Sequence, residues 1–432
     1  MSRKGKNSDV SFLGRVLIFF RPLWTKIKKK RIFHTAIEKQ KTLALYTGTD
    51  SVEESKLSYG FGVARIICII LLVLLLLITV LFGGSRISYE KMYYMFKDIS
   101  YIRSFGESTP SSLSYAGPIQ NQVFSSFKGG LAVASDSEIK TFTSTGRVTM
   151  SIGSEFTNPK LSSSNGYLLV YDQGSNSYAI YNSFICVHSE KLEFPISFAC
   201  MAENGSFLVV TGAQRYDSMV KVYNSDFELV SEYSKNDRVI SASLSSDGRY
   251  AAVLSIAVQQ GESVVSLNVI DCKKNEVVSK TVWGGSMPYR CDFLTDDRIA
   301  VILDDRVSVI DRDGRTKGDY IFPSSLERID VSNEKFALLF AESDLLNKKT
   351  VSVFDKEGRL TFSDTTQGNV RDMKLGEDSV YLLQSGRVTR ISTLTGSESS
   401  CSVESDARAL VVFFGEAVVV CTQSAARYIS FD

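Results

Sequence analysis

The sequence predicts an all-β domain, a β-propeller of eight blades with seven as the alternative count, following one transmembrane α-helix. Three observations predict it: an uncharged apolar run, a repeated two-strand phrase, and the spacing at which that phrase returns. The run is IICIILLVLLLLITVLF, Ile66 to Phe82. A helix rises about 1.5 Å per residue, so about 20 apolar residues cross a hydrocarbon layer about 30 Å thick. Gly62 to Ala64 extend the run, and Arg65 can snorkel to the head groups.

Charge divides at this run. Residues 1–61 carry a net +8 and residues 84–432 a net −8, hidden inside an overall +1. Basic residues before a span favour a cytoplasmic N-terminus, which places the C-terminal domain outside the cytoplasm, at the cell membrane. A signal peptide cleaved near Gly83 and Ser85 is the alternative; some 60 residues before the apolar core disfavour it. The expected organisation is a basic cytoplasmic segment (1–61), a signal anchor (62–84), a juxtamembrane helix or linker with a ring-closing strand (85–120), and the propeller (121–432).

Within the basic segment, residues 10–24 place apolar side chains, Trp24 among them, at helical spacing with Arg15 beside the stripe, and Lys28, Lys29, Lys30 and Arg31 follow. A basic amphipathic helix of this kind can lie on an anionic leaflet of the lipid bilayer. Docking on a cytoplasmic partner is the alternative. The basic run is short and has no accompanying nucleic-acid motif, so no nucleic-acid partner is expected.

Beyond Val123, short alternating runs of Val, Ser, Tyr and Phe are broken by Gly, Asp and Asn, the pattern of strands and turns. VSVIDRDGRTKG at Val307 and VSVFDKEGRLTF at Val351 each read as strand, Asx-Gly turn, strand. IKTFTSTGRVTM at Ile139 repeats the plan, and VKVYNSDFELVS at Val220 fits loosely. A second strand pair precedes each phrase, most cleanly in VISASLSSDGRYAAVLSI from Val239. First strands are expected near Val123, Pro159, Ile196, Val239, Tyr289, Leu326, Val370 and Ala407. Four strands every 40 residues or so are the mark of a propeller. The last unit supplies three strands, so its outer strand is expected from Ile99–Phe105 or Leu113–Ile119, closing the ring.

The hairpin phrase and the S-x-D-G-R-Y-A-A-V phrase at Ser245 to Val253 resemble WD-repeat and quinoprotein-like propellers over about residues 95–432. The Trp-Asp and Gly-His pairs of true WD repeats are absent, and only Trp283 lies in the domain. The whole layout also resembles an uncharacterised family of bacterial single-pass proteins with an external propeller, a resemblance that implies no activity.

Chemistry-bearing residues are sparse. There are two histidines, His34 and His188, so no paired-His metal site is expected outside the membrane. Asp296-Asp297, Asp304-Asp305 and Asp311 with Asp313 fall where turns are expected, and DRDG lacks the glutamate spacing of a calcium loop. Six cysteines follow the span without tight spacing and read as free, buried thiols. No cofactor is expected and no catalysis. Connections between second and third strands are longest at Gly212–Ser218, Ala257–Glu262 and Glu342–Lys349. Arg215, Tyr216, Gln259, Gln260, Asp344 and Lys349 are thus candidate contacts on one rim for a protein, peptide or cell-wall glycan partner. The expected function is an anchored binding or scaffold module. A glycan-active or cofactor-bearing propeller enzyme using Asp304 and Asp305 is one alternative. A receptor relaying ectodomain occupancy to a cytoplasmic partner is the other.

Overall fold

Strand after strand, the chain from Val123 onward returns on itself in four-stranded antiparallel sheets. The computed structural model describes residues 65, 68–73, 97, 112–115 and 121–431, except 333, 344–346 and 414–416. The chain divides into two units, Met1–Tyr93 and Tyr94–Asp432. In the first, Arg65 and residues 68–73 are helical and exposed. Among the described residues no helix is long and apolar enough to cross a membrane. The remainder of the expected span lies outside the described residues, as do Arg15, Trp24, Lys28, Lys29, Lys30 and Arg31.

The second unit holds eight four-stranded sheets among the described residues, and each is a blade. With the strands of a blade named a to d in ring order, strands a begin at Val123, Pro159, Ile196, Arg238, Pro288, Ser325, Val370 and Ala409. These lie within two residues of the positions read from the sequence. Strand a of each blade touches strand a of its neighbour, and blade 8 returns to blade 1. Eight blades close the ring; the seven-blade count is excluded.

Strand b is covered by a neighbouring blade on each face, so it reads as an unbroken apolar run. Ile299–Leu303, Phe336–Phe340 and Val380–Leu383 are fully buried. Strand d forms the outer edge and alternates instead: Thr316–Ile321 exposes every second side chain or more. Eight apolar clusters fill the eight seams, from Leu131, Val133, Val411 and Val419 between blades 8 and 1 to Tyr381, Leu383, Leu410 and Val418 between blades 7 and 8. A single blade leaves both faces wet; stacked in a ring, every face is covered.

The c–d turns explain the repeated phrase. In blade 5, Asp311 Oδ1 accepts the Arg315 N–H at 2.8 Å, the Gly314 N–H donates to the Asp311 carbonyl at 3.0 Å, and Gly314 has φ +83°. Asp355 and Gly358 do the same in blade 6. Blade 3 has Phe227 where the glycine stands, at φ 68°, a conformation L side chains seldom take. Its ring packs edge-on to Tyr167 at 5.2 Å and near His188 at 5.4 Å. That packing is the compensation for the loose match.

Blade 8 is closed by Ser112–Ser114, which pairs antiparallel with Ala425–Arg427, so the segment ahead of Val123 supplies the missing strand. The Tyr115 hydroxyl follows it and lies 2.8 Å from the Thr422 carbonyl and 2.6 Å from that of Ala425. Of the expected juxtamembrane helix or linker ahead of that strand, only Lys97 is described, and it is helical.

Candidate functional site

Strands a form the wall of the axial channel, and side chains on them tie each blade to the next. Ser162 Oγ accepts the Met201 N–H at 2.9 Å; Ser241 and Ser243 accept those of Cys291 and Phe293 at 3.2 and 3.0 Å. In the second half of the ring carboxylates take over. Asp330 Oδ2 accepts the Leu375 N–H and Asp372 Oδ2 the Leu410 N–H, each at 2.8 Å. Lys374 lies 3.0 Å from Asp330; burial favours its neutral form, but Asp330 and Asp372 hold its pKa above the ordinary lysine value. Burial pushes the Asp372 carboxyl up, against Lys374 and two backbone N–H groups. Arg290 is held up chiefly by Asp292, to which it donates at 2.9 Å. These groups are committed to the wall.

At the end of the channel where strands a turn into strands b, two cavities open, of about 460 and 580 Å³. They share Glu203, Val331 and Ser332, and together they touch the a–b turn of all eight blades. Apolar side chains such as Phe127, Phe293, Leu294 and Phe413 line them, with carboxylates at Glu203, Asp296, Glu334 and Glu377. The sequence does not single out this mouth, because each blade contributes only one short polar turn and consecutive turns stand some 40 residues apart.

The opposite face, carrying the b–c and d–a connections, holds the rim expected from sequence. Arg215 and Tyr216 are exposed on the connection after Phe207–Thr211 in blade 3. Gln259 and Gln260 are exposed on neighbouring blade 4, but not on a loop. Strands b and c there run Tyr250–Gln259 and Glu262–Asp271 with Gln259 opposite Glu262. Gln260 and Gly261 (φ 53° and 88°) make a two-residue turn of the primed type that matches strand twist. The expected loop Ala257–Glu262 is therefore a protruding hairpin. Lys349 is also corrected: it is buried and pairs with Glu327, so it offers no free rim contact. Asp344 lies outside the described residues.

Sequence reasoning missed the apolar part of this face. Val258, at the hairpin tip, is 75% exposed, Met287 52% and Tyr289 54%. The hairpin and the connection that carries Met287 are joined by a hydrogen bond: Val258 pairs with Ser263, whose hydroxyl donates to the Ser286 carbonyl at 3.3 Å, next to Met287. The signal available was the alternation of SIAVQQGESVV, which continues strand periodicity through the supposed loop.

The family of unknown function DUF5711 matches residues 112–431, from the ring-closing strand to the last blade. The chain belongs to this family. No curated protein matches it in sequence. BamB from Moraxella catarrhalis is similar in structure, with a TM-score of 0.51 at 11% identity, over 74% of this chain and 96% of that one. The β-propeller domain of Cps50 (Swd1) from Myceliophteria thermophila gives 0.46 at 10% identity, over 75% and 100%. At such identities the likeness is one of fold.

The carboxylate pairs of this DUF5711 propeller are spent locally. Asp297 pairs with Arg298 and with Arg312 at 2.9 Å; Asp305 pairs with Arg306 at 2.8 Å; Asp304 accepts the Met287 N–H at 2.8 Å. Asp313 lies 3.3 Å from Arg315. His188 lies 3.8 Å from Glu190, which accepts the Tyr178 hydroxyl at 2.6 Å in the seam between blades 2 and 3. Among the described residues no group of three or more His, Cys, Asp or Glu could hold a metal ion. The cysteines are free: Cys272, Cys291 and Cys421 are buried, Cys200 and Cys401 half-buried, and Cys186 exposed.

Proposed function

We propose that this DUF5711 chain is a membrane-anchored binding or scaffold protein whose b–c face docks a partner protein outside the cytoplasm. The observation that carries the reading is the exposed apolar group Val258, Met287 and Tyr289, on the same face as Tyr216, Gln259 and Gln260. Apolar surface left in water costs about 25 cal/mol per Å² relative to burying it. Exposed apolar side chains gathered on one face mark interaction sites, and Tyr and Met are enriched at the centres of interfaces. The blade 4 hairpin, held by ladder bonds, presents Val258 on a rigid support, which keeps the ordering cost of association low. The anchoring half of the reading draws on the 17-residue apolar run and the charge division on either side of it. The resemblance to single-pass proteins with an external propeller supports the same topology. No reaction is assigned.

The experiment is affinity capture from solubilised membranes with the full-length chain and with a Val258→Asp, Met287→Asp variant. Both side chains are exposed, so thermal unfolding is expected to be unchanged. Recovery of the partner falls at least tenfold if the face is correctly assigned; equal recovery overturns the assignment.

A further inference from the structure

We infer that the axial mouth on the a–b side is a second binding site, built for the lysine or arginine side chains of an extended basic peptide segment. The first ground is shape. The two cavities share three residues and open into one mouth, and each lies within the range of about 300–1,000 Å³ typical of ligand sites. The second is the chemistry of its wall. Blades 3, 5, 6 and 7 each contribute a carboxylate, Glu203, Asp296, Glu334 and Glu377, and the one cationic side chain among the lining residues is Lys128. Lys356 pairs with Glu334 at 2.6 Å, and Asp296 accepts the N–H of Ser246 at 2.9 Å. The Glu203 and Glu377 carboxylates accept nothing from the described residues.

Their spacing decides the class of ligand. The carboxylates stand on different blades around the mouth, and no three gather closely enough to hold a metal ion. A single small cation therefore cannot satisfy them, whereas charges spread along a peptide can. The apolar floor of Phe293, Leu294 and Val331 suits the methylene stems of lysine and arginine, which bury their carbon chains while the charged ends reach polar groups. The net −8 of residues 84–432 draws such a segment in, over a Debye length of about 8 Å at physiological salt.

The test uses the full-length chain in detergent and a fluorescein-labelled hexalysine peptide, read by anisotropy, with labelled hexaserine as the neutral control. Glu203→Gln with Glu377→Gln removes the two free mouth charges. Glu276→Gln with Glu398→Gln makes the same charge change on exposed outer strands. All four side chains are exposed, so both pairs are expected to melt like the wild type. Hexalysine is expected to bind, more weakly as salt rises, with at least a tenfold loss in the mouth pair and less than twofold in the outer pair. Val258→Asp with Met287→Asp leaves hexalysine binding unchanged, which separates this site from the b–c face. Absence of hexalysine binding, equal binding of hexaserine, or equal losses in the two glutamine pairs each overturn the proposal.

Discussion

Tyr115 and Thr422 stand 307 positions apart and meet at 2.8 Å, hydroxyl to carbonyl, where the ring closes. The contact accompanies a strand of three residues, Ser112–Ser114, on which the outer edge of blade 8 depends. Leu113 is 2% exposed, in the cluster between blades 8 and 1. Leu113→Ala is expected to cost about 2–5 kcal/mol, as buried leucine truncations do. Tyr115→Phe leaves the Thr422 carbonyl without this donor and costs about 1–3 kcal/mol. Urea unfolding midpoints check both. Static light scattering is expected to show association in the Leu113→Ala protein, because a loosened edge strand recruits other chains.

Gly318 tests the close approach of neighbouring blades. A Cβ there would lie 2.3 Å from the Glu357 carbonyl oxygen, in the c–d turn of the next blade. Backbone must shift, so Gly318→Ala is expected to destabilise by about 1–3 kcal/mol. Gly212 has open space around it and no positive φ, and Gly212→Ala is expected to stay within about 0.5 kcal/mol of the wild type. Thermal melting of the two variants side by side measures the difference.

The turn carboxylates set an acid limit. Burial alone would raise the pKa of Asp311, but the Lys317 ammonium and the Arg315 N–H outweigh it and hold it below its ordinary value. Asp271 is lowered likewise by the Lys274 N–H and Arg249 against burial, and Asp305 chiefly by Arg306. A folded pKa below the unfolded one gives stability that is complete above the unfolded value, near pH 4, and is lost as pH falls through the folded value. Asp372, raised by burial, carries the opposite sign. Melting temperature is expected to fall steeply below pH 4, and less steeply in Asp311→Asn. Parallel slopes in the two proteins would contradict this assignment.

Free thiols give a fourth check. Burial pushes the Cys272 and Cys291 thiols up to about 12 and raises Cys421 further. At pH 8 Cys186 is expected to react with a maleimide in the folded protein, whereas these three react only after denaturation. Reducing agent leaves the melting temperature unchanged; a lowered one would mean a disulfide.

The ring was legible because its repeat is written in local chemistry. Asp311 with Gly314 and Asp355 with Gly358 show a turn and, by their spacing, a blade. The unbroken run IAVIL at Ile299–Leu303 shows a strand covered on both sides. Legibility ended where function depends on assembly. Gln259 and Gln260 were found, but as loop residues, because the polar pair QQ masked a strand whose alternation continues to its tip. Lys349 looked like a surface lysine until strand pairing brought Glu327 to it. Val258 lay within the supposed loop and Tyr289 at a strand start, and neither was singled out with Met287, since nothing in a one-dimensional pattern says that a hairpin outruns its neighbours. The mouth around Glu203 and Glu377 exists only once eight separate turns converge on one axis.

Sidedness is the claim on which the anchored-ring reading turns, and Cys186 offers the direct measurement. Intact cells are treated with a membrane-impermeant maleimide, and wild-type chain is compared with Cys186→Ser. Labelling of Cys186 in intact cells, unchanged by permeabilisation, is the expected result for a propeller displayed outside the cytoplasm. Labelling that appears only after the membrane is opened would put the propeller inside and contradict the reading.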